Sequence, residues 1–136
     1  MKIFLICSKH FYATIPAIQK TLEASGHTVA LPNCFDDPAM EDKIRAMGGA
    51  THAEWKATML KHSTGVIENN DAVLVLNFDK NGISNYIGGA TFLEMYDAFR
   101  FDKKIFLYNA IPEGMLADEI IGFNPTIING DLGNIL

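Results

Sequence analysis

Three stretches of the chain run almost unbroken in apolar residues: KIFLIC (2–7), DAVLVLN (71–77) and KKIFLYN (103–109). A strand with one wet face alternates apolar and polar positions, whereas a strand covered on both faces does not. These three therefore predict buried strands of a parallel sheet. HTVALP (27–32) and PTIIN (125–129) predict two weaker ones. Between the strands the period lengthens to that of a helix. Residues 12–25 place Ile15, Ile18 and Leu22 on one face, with Pro16 in the first turn and Gly26 as terminator. Residues 52–69 align Trp55, Met59 and Val66 on a stripe interrupted by Gly65. Residues 86–101 predict a third helix, and a short fourth one, around 114–121, ends at Gly122.

Strands alternating with helices predict one α/β domain over residues 1–136. Right-handed crossovers make it a flavodoxin-like three-layer sandwich, a five-stranded parallel sheet in the order 2-1-3-4-5. The segment CFDDPAMEDKIRAMGGAT (34–51) mixes charge, proline and a Gly-Gly pair, and reads as a mobile loop carrying a short helix. Loops of that length often serve as lids or binding loops. No internal repeat is expected.

In open α/β sheets ligands bind beyond the carboxyl ends of the strands, where the strand order reverses. Here that point lies between strands 1 and 3, so SKHFY (8–12) and FDKNGISNYIGG (78–89) are the predicted lining. They offer Ser8, Lys9, His10, Tyr12, Asp79, Asn81, Ser84, Asn85 and Tyr86 as hydrogen-bonding groups. The third helix opens on Gly88 and Gly89, although glycine costs about 1 kcal/mol relative to alanine inside a helix. Such a start suits a tight turn or the close approach of a ligand. The free N–H groups of the first turn favour an anion, and Thr91 adds a hydroxyl.

Glu94 shares a helical stripe with Ile87, Ala90, Thr91, Ala98 and Phe101, while Phe92, Tyr96 and Phe99 form a separate face expected to pack on the sheet. A carboxylate among apolar neighbours is costly unless paired, and such groups often carry raised pKa values and chemical roles. A plain loop-to-helix turn and a solvated glutamate on a helix shoulder remain the alternatives.

Composition narrows the partners. The formal charge is −5 and no lysine or arginine cluster occurs, which argues against a nucleic-acid or anionic-membrane partner. No apolar run approaches the ~20 residues of a membrane span, and the N-terminal stretch lacks a small-residue cleavage site, so a cytoplasmic protein is expected. Cys7 and Cys34 fit neither a disulfide framework nor metal-ligand spacing. Cys7 reads as a small core residue, and neither a metal nor a cofactor is expected. His27 and His52 read as structural.

The stretch GGATFLE (88–94) resembles the signature of the nucleoside 2-deoxyribosyltransferase-like superfamily, in which a threonine precedes a helix-borne glutamate by three positions. It is also similar to the motif of the phosphoribohydrolases that release cytokinin bases. The likeness to the first group extends over IFLICSKHFY, NDAVLVLN, the glutamate helix and KKIFLYN. It implies cleavage of the N-glycosidic bond of a nucleoside or nucleoside 5′-monophosphate, with Glu94 attacking the anomeric carbon and Tyr12 orienting it. Gly88, Gly89 and Thr91 would meet sugar or phosphate, Ser8, His10 and Asn85 would line the pocket, and a homo-oligomer is implied.

The chain departs from that pattern at two acids. The aspartate usual six positions before the glutamate is Gly88 here, and the acid usual near the end of the preceding helix is matched only by His62. A histidine there or at position 10 would protonate the departing base. The missing acids shift the expectation from base exchange toward hydrolysis of a nucleotide, or toward a non-catalytic nucleotide-binding module. A flavodoxin-type electron carrier is disfavoured, because SKHFYATIP lacks a hydroxyl- and glycine-rich flavin-phosphate loop.

Overall fold

Five parallel strands run through the centre of the computed structural model, which describes all of residues 1–136. They are β1 (Lys2–Ile6), β2 (Thr28–Ala30), β3 (Ala72–Val75), β4 (Lys104–Leu107) and β5 (Thr126–Ile127), in the order β2-β1-β3-β4-β5. This is the flavodoxin-like arrangement. The helices are α1 (Ile15–Ala24), α2 (Met40–Ala46), α3 (Gly49–Glu68), α4 (Gly89–Arg100) and α5 (Ala117–Gly122).

The two-residue period of a strand sorts the central side chains into two cores. Ile3, Leu5, Ala72, Leu74 and Phe106 point to one face, where Ile15, Ile18 and Leu22 of α1 cover them. Phe4, Ile6, Val73, Val75, Ile105 and Leu107 point to the other, against Ile67 of α3, Met95 and Ala98 of α4, and Ile120 of α5. Residues 3–6 and 72–77 are almost fully shielded from water, which is why these strands read as continuous apolar runs. No helix is long and apolar enough to cross a membrane.

Helix starts differ from the sequence reading. Lys9–Thr14 is a 3-10 turn, so α1 begins at Ile15 instead of residue 12. It ends as expected: Gly26 takes φ +88°, its N–H reaches the Glu23 carbonyl, and the His27 N–H reaches that of Leu22, a Schellman closure. α3 starts at Gly49, inside the segment read as a loop, and Gly65 does not interrupt it. α4 starts at Gly89 instead of residue 86, with Gly88 as its extended N-cap.

The α4 face expected on the sheet was also wrong. Thr91, Met95 and Ala98 face inward, whereas Phe92, Tyr96 and Phe99 gather around Phe123 with ring centroids 5.6, 6.3 and 5.4 Å away. Small or flexible inward residues let the helix lie close to β3 and β4, and the bulky aromatics fit only at its outer edge.

One seven-residue repeat is present after all. GGATHAE (48–54) matches GGATFLE (88–94) at the two glycines, alanine, threonine and glutamate. Both copies open a helix at the second glycine.

Candidate active site

Beyond the carboxyl ends of β1, β2 and β3 lies an open cavity of about 340 Å³. Ser8, His10 and Tyr12 enter it from the 3-10 turn after β1, and Gly88, Gly89, Thr91 and Glu94 from the start of α4. α3 contributes Trp55, Lys56, Met59, Leu60 and Ser63, while α2 and the segment before it contribute Asn33, Cys34, Pro38, Glu41 and Arg45. Lys80 and Tyr86 come from the loop after β3. The volume lies in the range of small-molecule sites.

Glu94 is the perturbed group of this cavity. Burial drives its carboxyl from the ordinary 4.5 up to about 7, and the Asp97 charge adds to that; a hydrogen bond from Ser63 and the charge of Lys56 oppose it. Such a group is half ionised near neutrality, where either a nucleophile or a proton carrier is useful. The Ser63 hydroxyl is buried, and its oxygen accepts from Asn33 Nδ2 at 2.7 Å, which leaves its O–H for Glu94.

Tyr12 donates to the Asn33 carbonyl at 3.0 Å and does not contact Glu94 through a hydrogen bond. Its hydrogen-bond link toward the carboxylate runs through Asn33 and Ser63. Burial, with the charges of Cys7 and Glu94, pushes its phenol well above the ordinary value, so it stays a neutral donor. Cys7 is only half-buried and lines the cavity, where burial and Glu94 push its thiol up to about 12. It packs against the core, as the sequence suggested, and also forms part of the cavity wall, with its thiol held neutral.

Of the two uses anticipated for the glycines at the α4 start, a tight turn and a close approach, the geometry leaves room for the second at Gly89. Neither has positive φ; the left-handed residue of this turn is Asn85, at φ +55°. A Cβ on Gly88 would stand 3.3 Å from the Tyr86 hydroxyl, and one on Gly89 would meet nothing within 4 Å. Gly89 therefore leaves open space at the helix mouth, and no side chain caps the first N–H groups. In the upstream copy of the motif Thr51 and Glu54 are exposed. The letters specify a helix start; burial of one copy makes the site.

Of the residues singled out from sequence, Glu94, His10, Tyr12, Ser8, Gly88, Gly89 and Thr91 converge on the cavity. Asn85 and His62 do not line it. Asn85 is engaged through its N–H with Asp79 at 3.0 Å, and His62 is exposed on α3, one position from the buried Ser63 that does face the site. His27 is tied to the Met1 nitrogen at 3.0 Å.

Several lining residues escaped the sequence reading. Glu41 receives Lys56 Nζ at 3.2 Å and lies 3.0 Å from His52 Nε2. Burial pushes Glu41 up, but the hydrogen bonds from His52 and Lys56 and the charges of Lys56 and Arg45 outweigh it, so its carboxyl lies below the ordinary value. The usable signal was charge spacing: Glu41 and Arg45 are four apart, as are His52 and Lys56, so each pair shares a helix face. No protein-family model and no curated protein sequence matches the chain.

Proposed function

We propose that the protein is an N-glycosidase acting on a nucleoside or nucleoside 5′-monophosphate, with Glu94 as the group that meets the anomeric carbon. The carrying observation is a carboxylate raised to about 7 by burial, on the wall of an open cavity at the topological switch point. The open space at Gly89 and the Thr91 hydroxyl support a sugar seated over the start of α4.

In this reading a Glu94 carboxylate oxygen attacks C1′ as the bond to the base breaks, and the bonding pair leaves with the base nitrogen. His10, on the same wall, supplies the proton that the base takes up. Water then displaces Glu94 from C1′, its proton passing to solvent, and the free sugar leaves. The transition state is oxocarbenium-like, so an adjacent carboxylate stabilises it whether or not a bond to C1′ is completed. A homodimer belongs to the same reading, through the exposed Leu93, Tyr96 and Phe99 of α4.

A second reading, a pocket that binds a nucleotide without turnover, draws support from Tyr12, which is bonded to Asn33 and not to Glu94. Base release from a panel of nucleosides and 5′-monophosphates, followed by chromatography, separates the two. Release by wild type and none by Glu94→Gln is the expected result. Ligand-induced stabilisation without release from any member favours the second reading, and neither response removes both.

A further inference from the structure

The charges around the cavity are unusual for this chain. The protein as a whole carries −5, yet the cavity wall holds four cations, Lys9, Arg45, Lys56 and Lys80, against two carboxylates, Glu41 and Glu94. Three of the cations are committed. Lys9 pairs with Asp42 at 3.1 Å, Arg45 with Asp42 at 2.9 Å and Glu41 at 3.5 Å, and Lys56 with Glu41 at 3.2 Å. Lys80 has no carboxylate partner.

The local chain holds Lys80 in place. Lys80-Asn81-Gly82-Ile83 is an Asn-Gly hairpin: Asn81 and Gly82 have φ +50° and +79°, and Lys80 and Ile83 exchange backbone hydrogen bonds at 2.9 Å in both directions. Two positive-φ residues in sequence suit the two-residue turn that matches strand twist. The base of the loop is closed by the Tyr86 N–H on the Phe78 carbonyl at 2.8 Å. The ammonium of Lys80 then lies 4.4 Å from the centre of the Tyr86 ring. That ring in turn places its hydroxyl beside Gly88, at the mouth of α4. A cation is thus positioned at the cavity wall before any ligand arrives, which lowers the ordering cost of binding.

We infer that Lys80 is the specificity residue of this cavity, presented by the Asn-Gly hairpin to take a phosphate monoester, so that the ligand is the nucleoside 5′-monophosphate and not the free nucleoside. The inference rests on the glycosidase reading for the nucleoside portion, but on the charge arrangement alone for the phosphate.

The test uses the intact chain carrying Glu94→Gln, which prevents turnover, and isothermal titration with common nucleosides, their 5′-monophosphates and inorganic phosphate. Monophosphates are expected to bind more tightly than their nucleosides. Adding Lys80→Met lowers that preference by about ten- to hundredfold, as loss of one charge-assisted contact does, while Lys80→Arg lowers it less. Lys20→Met, on the exposed side of α1, controls for net charge and leaves the preference intact. Equal affinity for nucleoside and monophosphate, or a preference unchanged by Lys80→Met, overturns the inference. If no nucleoside or monophosphate binds, the glycosidase reading is the one that fails. Lys80 is then judged on inorganic phosphate: binding lost in Lys80→Met sustains its role, and absent binding overturns it.

Discussion

Glu94→Gln should make this protein more stable, and increasingly so as the pH rises. In the folded chain burial lifts the Glu94 carboxyl from 4.5 to about 7, whereas in the unfolded chain it returns to the lower value. Between those two values the folded state keeps a proton that the unfolded state has released. Stability therefore falls as pH rises through this window, and the loss is complete above the folded value. At about 1.4 kcal/mol for each tenfold change in proton affinity, the full penalty is about 3 kcal/mol, most of which falls between pH 5 and pH 8. Glutamine cannot ionise and escapes it.

The assay is urea unfolding of wild type and Glu94→Gln at half-unit steps from pH 5 to 8. The quantity read is how their stability difference changes with pH, because any pH-independent difference between the two side chains contributes only a constant offset. With the urea dependence usual for small domains, the two midpoints should separate by about 1–2 M more at pH 8 than at pH 5. His10 faces the same cavity, so the pair is repeated in a His10→Gln background to isolate the contribution of Glu94. The chain contains its own control: Glu54 holds the glutamate position of the upstream motif copy but is exposed, and Glu54→Gln should track wild type throughout. Parallel midpoints for wild type and Glu94→Gln across the range would refute the buried, raised carboxyl and remove the main support for its catalytic role.

Gly89→Ala has free space for its methyl group and sits in the first turn of α4, so it should stabilise the fold by about 0.5–1 kcal/mol while obstructing the ligand. Unfolding and base-release assays on one preparation would show the two effects moving in opposite directions. Asn77 is fully buried; its amide donates to the Asn109 and Ala110 carbonyls at 3.1 and 2.9 Å and accepts the Asn109 N–H at 2.9 Å. Asn77→Leu strands those groups and should cost about 2–4 kcal/mol in chemical unfolding, and a loss under about 1 kcal/mol contradicts that role. α2 has no buried residue, and Glu41 joins it to Lys56 and His52 of α3. Glu41→Gln should therefore speed proteolytic cleavage within residues 34–48, and an unchanged cleavage rate argues that other contacts hold the helix.

The strand order was readable because buried parallel strands leave apolar runs that few other structures produce, and because the crossover rule leaves few ways to connect them. The helix termini were less readable. Gly48-Gly49 has the composition of a loop, but only Gly48, at φ +118°, behaves as one, and Gly49 already begins α3. The face of α4 was misassigned because size was taken as a guide to burial. The inward positions are Thr91, Met95 and Ala98, and the larger aromatics find their partner in Phe123, the residue just after α5, which no helical period reveals. At the site, the residues next to β1 and at the start of α4 were legible because topology places strand ends together. Asn33, Glu41, Lys56 and Ser63 were not, since their approach to Glu94 depends on how α2 and α3 fold over the sheet.

The motif alone carries little information, as its repetition within one chain demonstrates: the same five letters at 48–54 produce an exposed helix start with an unremarkable glutamate. What distinguishes the second copy is the convergence of several locally unfavourable choices. Glycine opens a helix beside open space, a half-buried carboxylate carries a penalty of about 3 kcal/mol, and a lysine without a carboxylate partner lines the same cavity. Any one of these is an ordinary accident of a surface. A domain whose whole stability is about 5–15 kcal/mol has little room for several that lie together without compensation. Under the proposed function a sugar phosphate would supply that compensation, filling the space at Gly89, engaging the carboxylate and neutralising the ammonium of Lys80.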